Sequence, residues 1–403
     1  MKVTRLLIRK IINSIASRYG LQCGFTINWF PPDAPRWQVV SLNSKNGSKG
    51  NVLLSYRTEP FLPGYESLWT KHSLYAECYQ MAKTFLDRGY NVDVIDWLND
   101  RFIPRKNYSF FVDIYSNLER LRTHINEDCI KIYHIVRAHW LFQNKAEYDR
   151  INELKKRKGV VIKPRRQMAE KSTIEIADFV TALGNEFTMR TYSYVHKPIY
   201  RVPISSSTTY PWLENKDFGK CNKNFLWLGS EGLVHKGLDL VLEAFKEMPD
   251  YNLTVCGPIK DEKDFESLYI EELYHTPNIN TIGWIDVTSD TFNEIRQTCL
   301  GLIYPSCSEG GGGCVVQCMH AGMIPVISNQ SSVDVTEDYG VILKECSIGE
   351  IKSSVQNLSA LSSQTLKEMS KNAWNIARNT YTKENFAKKY GEAIDEILEQ
   401  SRR

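Results

Sequence analysis

Residues 305–328 hold the residue types and the spacing that are best suited to chemistry. An apolar run ends near Ser306, Glu309 follows it, and four glycines, Gly310–Gly313, lead into a helix expected to begin at about Cys314. Glycines at such a turn leave backbone N–H groups free to face a ligand, and a helix N-terminus favours an anion. The pattern predicts a turn that binds a phosphate or an anionic leaving group. The alternative is a flexible surface loop with a solvated glutamate, which the apolar elements on both sides disfavour.

A second segment, residues 228–245, also places a glycine at the end of an apolar run. Gly229 is followed by a short loop and then by Lys236 and Gly237 at the head of an amphipathic helix. A lysine is unfavourable at the positive end of a helix dipole, so contact with a bound anion would explain it. A solvated surface lysine is the alternative. The spacing excludes a P-loop, and the absence of a G-x-G-x-x-G motif argues against a dehydrogenase-type dinucleotide site.

The elements that must position these segments alternate between strand and helix along most of the chain. This alternation predicts an α/β fold with two Rossmann-like, doubly wound domains whose strand ends face a central cleft. The expected division is a basic extension over 1–50, a first domain over 51–204, a linker over 205–222, a second domain over 223–382 and a final helical segment over 383–403.

Composition excludes several classes of protein. The chain has 403 residues with 50 Lys and Arg against 47 Asp and Glu, and this net charge of +3 gives no indication of a nucleic-acid partner. Ten cysteines without a C-x-x-C pair indicate reduced thiols rather than a disulfide framework or a zinc site. No apolar run is long enough for a membrane span or a signal peptide. A cytoplasmic protein is therefore expected.

The positive charge is concentrated in the N-terminal segment. Residues 1–50 contain eight basic residues and only one acidic residue, Asp33, so they carry +7 and the remaining residues carry −4. Residues 4–18 have the pattern of a basic amphipathic helix, with isoleucines and leucines on one face. Such a helix could lie on an anionic membrane surface or pack on the body of the protein, and the sequence leaves both readings open.

The two glycine-containing segments resemble the donor-binding half of a GT-B glycosyltransferase, and most closely the retaining glycosyltransferase family 4, also described as glycosyl transferases group 1. Members typically show a strand, Gly-Arg, a loop and Lys-Gly, and later Pro-Ser, Glu-x7-Glu and Gly-x-Pro-Val. The corresponding residues here are Gly229-Ser230, Lys236-Gly237, Pro305-Ser306, Glu309 to Gln317, and Gly322 to Pro325-Val326. The resemblance is specific over about residues 223–345. It implies a GT-B fold, with the final helix crossing back to the first domain.

The resemblance also implies roles for individual residues. Lys236 would bind the diphosphate of a nucleotide sugar, and Glu309 would accept hydrogen bonds from hydroxyls of the donor sugar. The amides of Gly310–Gly313, with the helix start at Cys314, would hold the sugar and phosphate. Gln317 would bind the ribose in place of the usual second glutamate, because its amide offers an acceptor and two donors.

Other positions of the donor site follow from the same resemblance. Gly229 and Ser230 would border the diphosphate, although Ser230 replaces the arginine that is usual there. The base would lie near Gly257 and near the three residues Gly283, Trp284 and Ile285, which leaves uridine and guanosine equally open. There is no Asp-x-Asp motif, so no metal or other cofactor is expected. Lys236 and the helix start would then stabilise the leaving nucleoside diphosphate.

The first domain would hold the acceptor. In the family a histidine after a strand of that domain lies close to the donor sugar, and the resemblance favours His134 as the catalytic histidine. His139 is the alternative, because it follows the strand end where α/β sites lie; His134 could instead be a satisfied core residue. The loop over 58–73 is expected to border the acceptor. The pair Arg165-Arg166 could meet an acidic or phosphorylated acceptor, or it could be an ordinary surface pair.

The expected function is therefore retaining, metal-independent transfer of a sugar from a nucleotide-sugar donor to a carbohydrate or lipid-linked acceptor hydroxyl. Synthesis of a cell-surface polysaccharide or glycolipid would fit a peripheral position at the inner face of the membrane. Two alternatives remain open at this point. One is a non-catalytic sugar-nucleotide-binding or scaffold protein of the same fold, and the other is a GT-B sugar-nucleotide epimerase.

Overall fold

Two sheets of mainly parallel strands form the framework of the protein. The computed structural model describes residues 36–45, 47–65 and 72–401. In the first sheet the strand order is β1-β3-β2-β4-β5-β6-β7, and all pairs are parallel except β1 with β3. Its strands are β1 Val39–Leu42, β2 Asn51–Tyr56, β3 Asn91–Asp96, β4 Phe110–Asp113, β5 Ile130–Ile135, β6 Phe179–Ala182 and β7 Ile199–Arg201. The central strands read as apolar runs because helices cover both faces of a parallel sheet.

The second sheet has six parallel strands in the order β10-β9-β8-β11-β12-β13. They are β8 Asn224–Leu228, β9 Asn252–Cys256, β10 Ile279–Gly283, β11 Gly301–Tyr304, β12 Ile324–Ser328 and β13 Val341–Leu343. The direction of winding reverses between β8 and β11. In open α/β sheets, ligands bind outside the carboxyl ends of the strands at such a reversal.

Fourteen α-helices are described in this part of the chain. Those that follow strands of the first sheet are α1 Ser73–Asp87, α2 Asn117–Leu121, α3 Trp140–Lys158, α4 Thr173–Ile176 and α5 Glu186–Arg190. Those of the second half are α6 Phe218–Cys221, α7 Leu238–Lys246, α8 Lys263–Leu268, α9 Ile270–Tyr274, α10 Asp290–Thr298, α11 Gly313–His320, α12 Ile348–Ser359, α13 Ser363–Thr380 and α14 Lys383–Gln400. No described helix is both long enough and apolar enough to cross a membrane.

The last helix, α14, packs against α1 of the first domain. Arg88 at the end of α1 donates from Nε and Nη2 to the Asp395 carboxylate at 2.8 and 2.6 Å, and Nη2 also donates to the Gly391 carbonyl. Phe386 and Tyr390 of α14 are fully buried. Helix α14 therefore packs on the first domain, although it follows the second domain in the chain.

The doubly wound α/β fold is confirmed, but the expected boundary at residue 51 is wrong. Strand β1 lies within the segment expected to be an extension, and its four residues pair antiparallel with β3. The first domain thus begins before residue 51. The linker expected over 205–222 ends in the short helix α6. The amphipathic helix expected over 4–18 lies outside the described residues.

Candidate functional site

Lys236 and Glu309 meet at the reversal of the second sheet. Lys236 ends the loop after β8, and Glu309 lies on the loop after β11. The Lys236 Nζ donates to Glu309 Oε1 at 2.5 Å, and the same oxygen accepts from the hydroxyls of Tyr304 at 2.8 Å and Ser306 at 3.1 Å. In the described part of the chain, the second carboxylate oxygen, Oε2, accepts no hydrogen bond. One oxygen thus fixes the carboxylate and the other is left for a ligand.

The electrostatics keep this carboxylate ionised. Burial alone would raise the pKa of Glu309, but the nearby charges of Lys236 and Arg166 outweigh it and lower the pKa to about 2. Neighbouring His235 is buried, which lowers its pKa to about 3, and its Nε2 bonds to the Ser308 carbonyl at 2.6 Å as the neutral donor tautomer. At neutral pH the site therefore contains a carboxylate, an ammonium group and an uncharged imidazole.

The glycine turn is packed directly against the first domain. A Cβ at Gly310 would lie 1.8 Å from the Val136 carbonyl oxygen and 2.5 Å from the Arg137 Cα, just after β5. Gly312 has φ +62° and caps α11, and a Cβ there would lie 2.4 Å from the Ser331 carbonyl oxygen. Glycine is required at both positions because of these close approaches. The turn is a fixed part of the cleft rather than a flexible loop.

The start of α11 is accessible to a ligand. Gly313 is exposed and Cys314 is half-buried. Among the described residues, no acceptor takes a hydrogen bond from the backbone N–H groups of Gly310–Gly313. These N–H groups and the helix dipole are suited to an anion. Gly311 is less available, because its Cα faces the Ile204 side chain, whose Cδ1 would lie 2.7 Å from an added Cβ.

Gln317 does not have the free amide that ribose binding would require. Its Oε1 accepts from the hydroxyls of Ser206 at 3.0 Å and Ser207 at 2.8 Å. Its Nε2 donates to the Thr208 carbonyl at 2.9 Å and the Tyr210 hydroxyl at 3.0 Å. Because the side chain is buried and both of its ends are occupied, it anchors the linker to α11. A ribose contact at this residue would require these hydrogen bonds to be exchanged, and the expected contact stays a prediction.

Three glycines end adjacent strands on the other side of the reversal. Gly229 N donates to Cys256 O at 3.0 Å, and Gly257 N donates to Gly283 O at 2.9 Å. Buried Trp227 lies beneath, with ring atoms 2.5 Å from an added Cβ at Gly229 and 2.9 Å from one at Gly257.

Gly229, Gly257 and Gly283 form a ledge of backbone at the ends of the three strands. The residues that follow these glycines differ in exposure. Trp284 is 50% exposed, whereas Ile285 is half-buried against the core. Ser230 is half-buried at the end of β8. The ledge of Gly229, Gly257 and Gly283 thus offers backbone atoms next to the exposed Trp284 side chain, and an aromatic base could contact both.

His134 lies in the core rather than in the cleft. It is fully buried on β5, its Nδ1 is 2.8 Å from the Thr181 hydroxyl, and its ring packs edge-on against Phe386 and Tyr390 of α14. Burial lowers its pKa to about 3. His134 is therefore a core residue whose Nε2 is buried without a hydrogen-bond partner in the described part of the chain, and its expected catalytic role stays a prediction.

His139 is a helix cap rather than a neighbour of Glu309. Its Nδ1 accepts from Leu141 N at 3.4 Å at the start of α3, and its Nε2 lies 3.3 Å from the Tyr194 hydroxyl. It is half-buried, and burial lowers its pKa. The part of the first domain that contacts the glycine turn is the backbone of Val136 and Arg137, between the two histidines.

A buried charged cluster lies just after β2. The direction of winding of the first sheet reverses at this position, between β2 and β4. Arg57 forms ion pairs with Glu59 and, at 2.9 Å, with Asp96, and all three residues are at most 5% exposed. His72 caps α1 by accepting from Leu74 N. The expected acceptor loop therefore starts from a rigid cluster, which the sequence analysis did not identify although Arg57 and Glu59 follow the strand directly.

The described residues contain no group of three or more His, Cys, Asp or Glu side chains that could hold a metal ion.

Residues expected at the donor site fall into two sets. Lys236, Glu309 and the glycine turn come together, with Ser306 of the Pro305-Ser306 motif and Tyr304, which the sequence did not single out, as partners. In the described ranges, no hydrogen bond or ion pair connects Gln317, His134 or His139 with Lys236 or Glu309.

Comparison with known proteins agrees with this architecture. Residues 216–375 match the family model described as Glycosyl transferases group 1. Sucrose-phosphate synthase from Thermosynechococcus elongatus superposes with a TM-score of 0.61 at 13% identity, over 87% of this chain and 99% of that one. No significant match was found among curated protein sequences.

Two further solved structures share the fold. Anabaena HepE, solved with UDP and glucose, gives a TM-score of 0.54 at 11% identity over 86% of this chain and 99% of its own. WaaG, a glycosyltransferase involved in lipopolysaccharide biosynthesis, gives 0.51 at 13% identity over 84% and 98%. The expected resemblance and the GT-B fold are confirmed.

Proposed function

We propose that this chain, which has the GT-B fold and whose residues 216–375 match the family model described as Glycosyl transferases group 1, transfers a sugar from a nucleoside diphosphate sugar to an acceptor hydroxyl, with retention and without a metal ion. The observation that carries this proposal is the Lys236–Glu309 pair at the reversal of the second sheet. A cation, a carboxylate with one free oxygen and unpaired backbone donors meet there.

Each group has a distinct role in the proposed reaction. Lys236 and the N-terminus of α11 stabilise the negative charge that develops as the nucleoside diphosphate departs. Glu309 accepts hydrogen bonds from hydroxyls of the donor sugar through Oε2 and so orients the anomeric carbon. Gly229, Gly257, Gly283 and Trp284 contact the nucleoside.

The acceptor lies on the first domain in this proposal, opposite the glycine turn. Lipid-linked or polysaccharide acceptors are supported by the resemblance to WaaG, a glycosyltransferase involved in lipopolysaccharide biosynthesis. A peripheral position at a cytoplasmic membrane surface would fit such an acceptor, with residues 4–18 as the contact.

The test is incubation of the full chain with UDP- and GDP-sugars and a panel of acceptors, with and without EDTA. We expect transfer that survives EDTA and that gives a product with the anomeric configuration of the donor, read by NMR. Glu309→Ala and Lys236→Ala should each abolish most of the transfer, whereas the exposed control Glu337→Ala should retain it. An inverted product or loss of activity in EDTA would contradict the mechanism.

A non-catalytic sugar-nucleotide-binding protein is the second candidate. It is favoured by the occupied amide of Gln317, which removes one expected ribose contact. Nucleotide binding without transfer or hydrolysis, unchanged in Glu309→Ala and Lys236→Ala, would support this candidate and overturn the enzymatic one.

A further inference from the structure

Two adjacent arginines of the first domain differ in their ion pairs. Arg165 pairs with Asp264 through Nη2 at 2.5 Å and lies 3.8 Å from Glu262. Arg166 forms no ion pair with any carboxylate in the described ranges, and its Nε, like that of Arg165, is buried without a hydrogen-bond partner. A buried guanidinium nitrogen without a partner is costly, because the group loses its water and gains nothing in return.

The backbone of Arg166 is held firmly beside the cleft. Its N–H donates to Glu147 Oε1 at 2.8 Å, and its carbonyl accepts from Gln143 Nε2 at 2.5 Å, both from α3. Its side chain lies on the second domain: an added Cβ at Gly232 would be 2.7 Å from the Arg166 Cγ and 3.0 Å from its Cδ. Gly232 belongs to the loop that joins β8 to Lys236. The first domain thus places the Arg166 side chain against the loop that ends at Lys236, the residue expected to bind the diphosphate.

The charge of Arg166 affects the pKa values of two neighbouring groups, Glu309 and Arg137. After the larger effects of burial and of Lys236, it helps to lower the pKa of Glu309. It also repels Arg137, whose pKa is lowered first by burial and then by Arg166. Arg137 stacks over Trp97 and forms no ion pair with a described carboxylate. Two guanidinium groups that repel each other without a bridging acid are suited to an anionic ligand.

We propose that Arg166 binds the diphosphate of the nucleotide sugar together with Lys236, and so replaces the cation that Ser230 does not provide. Ser230 lies two residues after the end of β8 and six residues before Lys236, at the position where the family that this chain resembles has an arginine. A first-domain residue would then take part in donor binding, so that donor occupancy links the two domains. This inference rests on the proposed function, because it assumes a nucleoside diphosphate donor.

The experiment measures dissociation constants of UDP and GDP by calorimetry on the full chain without acceptor. For the nucleotide that binds more tightly, Arg166→Ala should raise Kd at least about tenfold, and Arg166→Lys should raise it less, because Lys keeps the charge but not the planar fork. The dependence of log Kd on salt concentration should also become weaker in Arg166→Ala. Arg165→Ala is the matched control, since its guanidinium is already paired, and it should leave Kd within about threefold.

Thermal unfolding of each variant shows whether it is folded, and a folded Arg166→Ala with unchanged Kd would overturn this inference while leaving the proposed function intact. Normal nucleotide binding with loss of transfer only to a phosphorylated acceptor would also overturn it, and would assign Arg166 to the acceptor phosphate. If the wild-type chain binds neither UDP nor GDP, the proposed function fails and this inference fails with it.

Discussion

The Nζ of Lys236 lies 2.5 Å from Oε1 of Glu309, although 73 residues separate the two in the chain. Each follows one of the two strands at which the second sheet reverses its winding, so the topology alone brings them together. Their side chains are 3% and 15% exposed. The ion pair therefore couples the two halves of the donor site before any ligand is bound.

A double-mutant cycle should detect this coupling. Lys236→Met, Glu309→Gln and the double variant, unfolded in urea at pH 7, should give a coupling free energy of about 1–3 kcal/mol. Each single change leaves a buried polar group without its partner, so the double variant should be more stable than the sum of the single effects implies. The exposed pair Lys389–Glu392 is the control, for which coupling below about 0.5 kcal/mol is expected.

The same pair predicts a dependence of stability on pH. Because the folded-state pKa of Glu309 is lowered from 4.5 to about 2, its stabilisation is fully present above pH 4.5 and is lost as the pH falls towards 2. The loss should be on the order of 3 kcal/mol at most. Glu309→Gln should lack this component when urea unfolding is compared at pH 5 and pH 3. An identical pH dependence in the wild type and the variant would contradict the assigned ion pair.

The sequence predicted those parts of the fold whose signal is local. Apolar runs that alternate with amphipathic helices identified both sheets, and the glycine turn located Glu309. Strand β1 was missed because it is a half-exposed edge strand that follows prolines and precedes a polar run. Its strand conformation depends on β3, which lies some fifty residues later in the chain.

The surroundings of several site residues could not be predicted from the sequence, for one physical reason. Gln317, His134 and Arg166 each lie against segments that are distant in the chain: the linker, α14 and the β8–α7 loop. Residue type and spacing show that an amide, an imidazole or a guanidinium could bind a ligand. They do not show whether a distant segment already occupies that group.

Replacement of Gln317 by glutamate should destabilise the protein rather than restore a ribose contact. Gln317→Glu removes the donors to the Thr208 carbonyl and the Tyr210 hydroxyl and places a charged oxygen against that carbonyl. We expect a loss of about 2–4 kcal/mol in the free energy of unfolding at pH 7, which becomes smaller as the new carboxyl is protonated in acid. Urea unfolding at pH 7 and pH 5 measures this.

Gln356→Glu, on the exposed face of α12, is the matched control and should change stability by less than about 0.5 kcal/mol. Tighter nucleotide binding in Gln317→Glu at unchanged stability would refute the anchoring role and favour direct contact with ribose.

Alanine should have different effects at two glycines of the turn. Transfer should be lost at Gly310, whereas stability should be kept at Gly313. Gly310→Ala places a methyl group 1.8 Å from the Val136 carbonyl oxygen, so the turn must move away from the first domain. Transfer should fall by about a hundredfold or more, since the donors of the turn lose their position. Gly313→Ala meets only Ile204 Cδ1 at 3.8 Å and begins a helix, so stability should be equal or slightly higher. Activity and unfolding assays on both variants test this, and a fully active Gly310→Ala would show that the contact with Val136 is dispensable.

Histidine substitutions should separate structural from catalytic roles in the first domain. His134 is enclosed by Thr181, Phe386 and Tyr390, so His134→Ala should cost about 2–4 kcal/mol by opening a cavity beneath α14. Burial lowers the folded-state pKa of this imidazole from 6.5 to about 3, so the wild type should lose stability as the pH falls from 6.5 towards 3. His134→Phe fills the space without titrating and should lose less stability over that range.

The discriminating variant is therefore His134→Phe. If His134 only packs the core, this variant should transfer sugar at a rate within about fivefold of the wild type, with the same pH profile of kcat between pH 6 and 9, because an imidazole whose pKa is about 3 does not titrate there. Exposed His124→Ala provides the baseline for the loss of a histidine elsewhere. A folded His134→Phe whose kcat falls a hundredfold would instead return this histidine to the reaction, despite its buried position on β5.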